Sequence, residues 1–241
     1  MTNHLRRLLA GLTLFVAEFT VTLLVGILGV LIFLFLGREV LNQQVTAFDE
    51  QATTWVRALL GPNQLGWVRS VTFLASANFI IVAASLLIGY FLLRRRHRWY
   101  TLLVPVVAIG SIVLNLTLKN AYQRPRPAMP LVAAEGLSFP SGHAMIAASF
   151  YGLLIYLVQT HMRSPTLRWI RRLLILGLMF LILLIGLTRV YLRVHYTSDV
   201  LAGFMAGGVW LLLAIPLLKR IEKETKKRFK STMQAAEKQA Q

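Results

Sequence analysis

The chain has 241 residues, 56% of them hydrophobic and only 15% charged, with a formal net charge of +17. A mean hydropathy of +0.63 and apolar runs of about 18 residues or more exclude an ordinary water-soluble domain and indicate membrane spans. The basic residues lie in blocks between those runs, a pattern of membrane topology rather than of nucleic-acid binding, and the lack of cysteine removes disulfides, Cys-zinc sites and a thiol nucleophile.

Six spans are expected in chain order: Leu8 to Leu36, Trp67 to Leu93, Tyr100 to Leu118, His143 to Gln159, Leu173 to Thr188 and Asp199 to Leu218. The first run is too long for a signal-peptide core and is read as a retained span. No linker or repeat divides the chain, so residues 1–241 form one all-α, polytopic membrane domain. The basic residues Arg6 and Arg7, Arg94 to Arg98, Arg163 to Arg172 and the tail from Lys219 occupy alternate connections. The positive-inside bias makes those connections cytoplasmic and both termini inner. The basic tail, 219–241, is also placed to meet anionic headgroups.

The outer connections are 37–66, 119–142 and 189–198. In the first, Val45, Phe48, Ala52, Trp55, Val56, Leu59 and Leu60 recur at helical spacing, with Asp49, Glu50, Gln51 and Arg57 on the remaining face. An amphipathic interfacial helix follows, serving mainly as a connector packed on the bundle. Gly61-Pro62-Asn63 ends it. Glu18, within the first span, is a costly intramembrane acid without an assignable partner.

The second and third outer connections carry the chemistry. Lys119 and Arg126 close the third span and enter the following loop, which Pro125 and Pro127 stiffen. A held guanidinium suits phosphate oxygens, with Lys119 as a compact charge beside it. Arg124 is read as a surface charge. Pro140-Ser141-Gly142-His143 opens an apolar run as a helix start, with Pro in the first turn. Its free N–H groups favour an anion, Gly142 allows close approach, and the Ser141 hydroxyl adds a donor. Arg189 lies near His195, and Asp199 follows His195 by four residues, one helical turn. The carboxylate can hold one ring nitrogen and leave the other as a nucleophilic lone pair.

Elimination points the same way. With nine Asp and Glu in all and no Asp-x-Asp pair among the outer acids, neither a carboxylate nucleophile with magnesium nor a two-metal site is well supplied. A phosphate-ester site then has His195 as nucleophile, Asp199 as its orienting carboxylate and His143 as proton donor to the leaving group. Lys119, Arg126, Ser141, Gly142 and Arg189 bind phosphate, and no metal or other cofactor is expected.

These residues resemble the signature of the type 2 phosphatidic acid phosphatase superfamily. Lys119-x6-Arg126-Pro127 matches its first part and Pro140 to His143 its second. Arg189-x5-His195-x3-Asp199 matches its third, with Thr188 where the pattern has Ser. At this size the chain is similar to the bacterial phosphatidylglycerophosphate phosphatase B type. The resemblance implies a six-helix fold and metal-free hydrolysis of lipid phosphates such as undecaprenyl pyrophosphate, phosphatidylglycerophosphate or phosphatidic acid. The basic connections place the motifs, within 119–199, at the outer face of the cytoplasmic membrane. The soluble vanadium-dependent haloperoxidases of the superfamily are set aside by the spans. A lipid phosphotransferase, and a phosphate-lipid transporter or binding protein, remain as alternatives. The expected partners are a lipid phosphate and the bilayer, not nucleic acid; oligomeric state stays open.

Overall fold

The structure, a computed structural model, describes residues 3–94 and 99–239. Among them the chain is helical and contains no strand. Its helices are α1 (Asn3–Leu41), α2 (Thr46–Leu60), α3 (Leu65–Phe73), α4 (Ala77–Leu93) and α5 (Tyr100–Tyr122). They continue with α6 (Gly142–Ile146), α7 (Gly152–His161), α8 (Arg168–Tyr191) and α9 (Thr197–Gln239). Arg95, Arg96 and Arg98 of the second inner connection lie outside the described residues, as does the side chain of Glu18.

Five helical segments are long and apolar enough to cross a bilayer: Thr20–Leu41, Tyr100–Tyr122, Gly142–His161, Pro165–Tyr191 and Thr197–Phe229. Leu65–Phe73 and Ala77–Leu93 form a sixth only if counted together, because 41° of bend separates them. Leu74–Ser76 breaks that pair, and Ser76 caps the restart by accepting the Phe79 N–H at 3.3 Å. The single second span expected from Trp67 to Leu93 is therefore two helices at an angle. The sixth span, expected to stop at Leu218, continues as helix through the charged tail.

The core lies between α4, α5, the α6–α7 rod, α8 and α9, around Val104, Val107, Phe150, Leu153 and Ile185. A π-helical turn, Ala147–Tyr151, joins α6 to α7; such turns are common near functional sites. Close approach of α9 to α6 rests on Gly203 and Gly207. A Cβ at Gly203 would stand 2.7 Å from the Ser141 carbonyl oxygen, and one at Gly207 would collide with that of Met145. Small residues four apart let two membrane helices touch backbone to backbone. That contact delivers the Asp199 carbonyl to the Ser141 N–H at 3.0 Å, so the two motif-bearing helix starts are tied directly together.

The connector α2 differs from its expected orientation. Val45 and Asp49 are buried on the bundle side, whereas Phe48, Trp55 and Leu59 are exposed. The helix thus has two apolar faces, one docked and one turned outward, and Asp49 belongs to the docked face instead of the polar one.

Candidate active site

The end of α5, the loop 123–141, the start of α6, the end of α8 and the start of α9 converge at one end of the bundle. Gln123 ends α5 in the left-handed conformation, its N–H bonded to the Lys119 carbonyl at 2.9 Å. The chain then turns back across the site. Three cations are fixed there by neutral acceptors. Lys119 donates to the Leu137 carbonyl. Arg126 donates from Nε to Glu135 and Gly136 and from Nη1 to Val194, at 3.1, 3.0 and 2.7 Å. Arg189 donates to Thr72 Oγ1 at 2.8 Å and is only 8% exposed, with Nε lacking a hydrogen-bond partner.

Among the described residues none of the three has a carboxylate in ion-pair range. Three positive charges held by carbonyls and a hydroxyl, in a partly dry site, leave their charge uncompensated and aimed at an anion. His143, at the second position of α6, lies close enough to feel Arg189, His195, Arg126 and Lys119. All the expected site residues are thus drawn into one neighbourhood.

His195 is 3% exposed. Its Nε2 faces Arg126 Nη1 at 3.4 Å. Guanidinium only donates, so Nε2 carries the lone pair and the proton sits on Nδ1. Nδ1 stands 3.5 Å from Asp199 Oδ2, an electrostatic contact longer than a made hydrogen bond. Such contacts in catalytic dyads commonly tighten when substrate arrives. Burial, with help from Arg189 and Arg126, lowers the imidazole to about 4 even though Asp199 opposes the shift. Burial likewise pushes the Arg126 guanidinium below its usual value, with Asp199 opposing. At neutral pH His195 is therefore an unprotonated base.

Two expectations about the surroundings are corrected. Arg124 is not a surface charge. Its side chain is 11% exposed and forks between Asp199 Oδ1 at 2.6 Å and Asp49 Oδ2 at 2.8 Å, lying over the Tyr196 ring. Pro140 is not in the first helical turn either. It precedes the cap: Ser141 is the N-cap of α6, its hydroxyl accepting the Ala144 N–H at 3.5 Å. The Ser141 N–H is committed to Asp199, and the first turn is offered by Gly142 onward. Gly142 is also constrained from behind, since a Cβ there would meet Asn115 Oδ1 at 3.0 Å. Asn115 in turn donates to the Pro140 carbonyl at 3.2 Å.

Asp199 spends both oxygens. Besides Arg124 it accepts from the Ser138 hydroxyl and, at 2.9 Å, from the Tyr196 N–H. Asp49, Ser138, Ser198 and Thr72 are the residues that sequence reasoning misses. An acid in line with Val45, Ala52 and Val56 on a helix is the one signal that could have exposed Asp49.

A groove of about 400 Å³ runs from Gly142 and His143 between α4 and α5, past Ile112, Ala108, Ala84 and Ile88. Its walls along α4, Ala77 to Ile88, extend about 16 Å at 1.5 Å per residue. A larger apolar cleft of about 780 Å³ between α1 and α9, near Lys219, has none of these convergent groups.

Residues 99–223 match the PAP2 superfamily model. Phosphatidylglycerophosphatase B of Bacillus subtilis (strain 168) is 31% identical over 198 residues, covering 82% of this chain and 94% of that protein. Dolichyldiphosphatase 1 of Homo sapiens is 35% identical over 133 residues, 47% of this chain and 56% of that protein. The crystal structure of a transmembrane PAP2-type phosphatidylglycerolphosphate phosphatase from Bacillus subtilis superposes with a TM-score of 0.72 at 27% identity, covering 81% of this chain and 96% of that one. The chain belongs to the PAP2 superfamily.

Proposed function

We propose that this PAP2-superfamily member hydrolyses a phosphate monoester or pyrophosphate of a membrane lipid through a phosphohistidine on His195, without a metal. The chain is a phosphatase of that superfamily; the substrate and the residue roles are the proposal. Its main support is the set of three uncompensated cations, Lys119, Arg126 and Arg189, gathered around a neutral, buried histidine.

The phosphoryl oxygens displace Arg126 from its long contact with Nε2 and take the free donors of Lys119, Arg126, Arg189 and the Gly142 turn. Nε2 attacks phosphorus in line, the bond to the lipid oxygen breaks, and His143 protonates that oxygen. Asp199 steadies the imidazolium through Nδ1–H. Neutral His143 then takes a proton from water, which attacks the phosphohistidine and releases phosphate. Among the described residues no three His, Asp or Glu side chains converge to hold a metal ion. The apolar groove leading from His143 suits a lipid tail, its volume lying in the range of ligand pockets.

Phosphatidylglycerophosphate is the first candidate because the Bacillus relative bears that name over nearly its whole length, with undecaprenyl pyrophosphate second. Both termini are assigned to the cytoplasm and the site to the outer face, on the basic connections. The test is a turnover panel of the candidate lipids in detergent, with and without EDTA. It is repeated on right-side-out vesicles with an impermeant short-chain lipid phosphate. Unchanged rates in EDTA and hydrolysis by intact vesicles are expected. A collapse in EDTA would remove the metal-free mechanism, and latency in intact vesicles would reverse the topology.

The acid limb of kcat/KM should report free-enzyme His195 near 4 rather than near the usual 6.5. The sign follows from burial. The folded state resists protonating this ring, so between 6.5 and about 4 the unfolded chain binds the extra proton and stability falls as pH falls. A limb near 6.5 in a pH–rate profile of the still-folded enzyme would contradict the buried neutral nucleophile.

A further inference from the structure

Asp49 lies 150 positions before Asp199 and outside every motif, yet it is completely buried. Its Oδ1 accepts the Ser198 N–H at 2.8 Å; Oδ2 accepts the Ser198 hydroxyl at 2.7 Å and Arg124 Nη2 at 2.8 Å. Arg124 Nη1 in turn holds Asp199 Oδ1 at 2.6 Å and Ser198 Oγ at 2.8 Å. A guanidinium is planar, so fixing one nitrogen on Asp49 fixes where the other can meet Asp199. Ser198 is the residue just before Asp199 in the chain, so Asp49 also pins the backbone that carries the carboxylate.

We infer that Asp49 is a positioning residue for catalysis, setting the rotation of the Asp199 carboxylate through Arg124 and Ser198. This rests on the proposed roles of His195 and Asp199. With Oδ1 claimed by Arg124, Oδ2 is the oxygen turned toward His195 Nδ1. Without Asp49, Arg124 is free to compete with the Ser138 hydroxyl and the Tyr196 N–H for Oδ2, drawing the carboxylate toward a two-pronged pair and off the imidazole. Loss of an orienting partner behind a catalytic group typically costs about 10–100-fold in activity.

The experiment compares Asp49→Asn in the wild-type and Asp199→Asn backgrounds, on full-length protein in detergent with phosphatidylglycerophosphate. Expected is a kcat about 10–100-fold lower with KM unchanged. In the Asp199→Asn background, residual turnover over long incubations should change within about twofold, because the carboxylate it acts through is already gone. An equal loss in both backgrounds would make Asp49 merely structural and overturn the inference, as would an unchanged kcat. If Asp49→Asn does not accumulate as folded protein, Arg124→Lys is read by the same rule, since an ammonium keeps the charge but not the planar fork. His195→Ala is run alongside. An active His195→Ala enzyme refutes the underlying mechanism, whereas a dead one beside a normal Asp49→Asn refutes only the positioning role.

Discussion

His195→Ala is expected to cut phosphate release from a lipid phosphate by about four orders of magnitude or more, with the protein still inserted and folded. That loss corresponds to about 5 kcal/mol of transition-state stabilisation. It is large because the proposed mechanism leaves no substitute for the attack: cysteine is absent, Asp199 is saturated by donors, and His143 is assigned the proton transfer. The fold should tolerate the change. The ring makes no hydrogen bond tighter than its 3.4 Å approach to Arg126 and 3.5 Å approach to Asp199, so its removal strands no strongly bonded partner. Rapid-quench trapping with labelled substrate should show acid-labile phosphoprotein in wild type and none in the variant. A near-normal rate in His195→Ala would end the nucleophile assignment.

Asp199→Asn is expected to lower kcat by about 10³–10⁴-fold and, unlike the histidine change, to destabilise the protein as well. The amide must point its NH2 either at Arg124 or at the Tyr196 N–H and Ser138 hydroxyl, and each choice sets donor against donor. Breaking a buried pair from one side costs about 3–5 kcal/mol. The lower end applies because Arg124 retains Asp49. Thermal unfolding in detergent reads the stability loss, and kcat of the folded fraction reads the chemistry. Full activity per folded molecule would show that Asp199 holds the loop together without supporting His195.

The helices and the three motif stretches were legible because their signals are local: long apolar runs, a Pro-Ser-Gly-His helix start, a four-residue step from His195 to Asp199. The hydrogen-bonded frame behind them was not. Arg124 looks like one more charge at a span end, yet its partners are 75 residues away in either direction, Asp49 and Asp199. Thr72 sits in what reads as the start of a continuous span, and its contact with Arg189 joins residues 117 positions apart. The polarity of α2 misled for a physical reason. Outward-facing Phe48, Trp55 and Leu59 mimic a core-facing stripe in a chain whose surroundings are partly lipid, where apolar side chains need not point inward. In a membrane the more telling sign of the docked face is the acid among the apolar residues.

The bridge from Asp49 to Asp199 also sets the order in which the protein can be made. Its two carboxylates leave the ribosome 150 residues apart, with Arg124 midway between them. Every helix from α1 to α8 is made before α9 delivers Ser198 and Asp199 to their partners. On the proposed roles, a nascent chain halted before α9 holds its cations, His143 and His195 but lacks Asp199, so its turnover should be no higher than that of Asp199→Asn. Full activity on that reading waits for α9, and the ion pairs Arg124 makes with Asp49 and Asp199 are among the last contacts the chain can close.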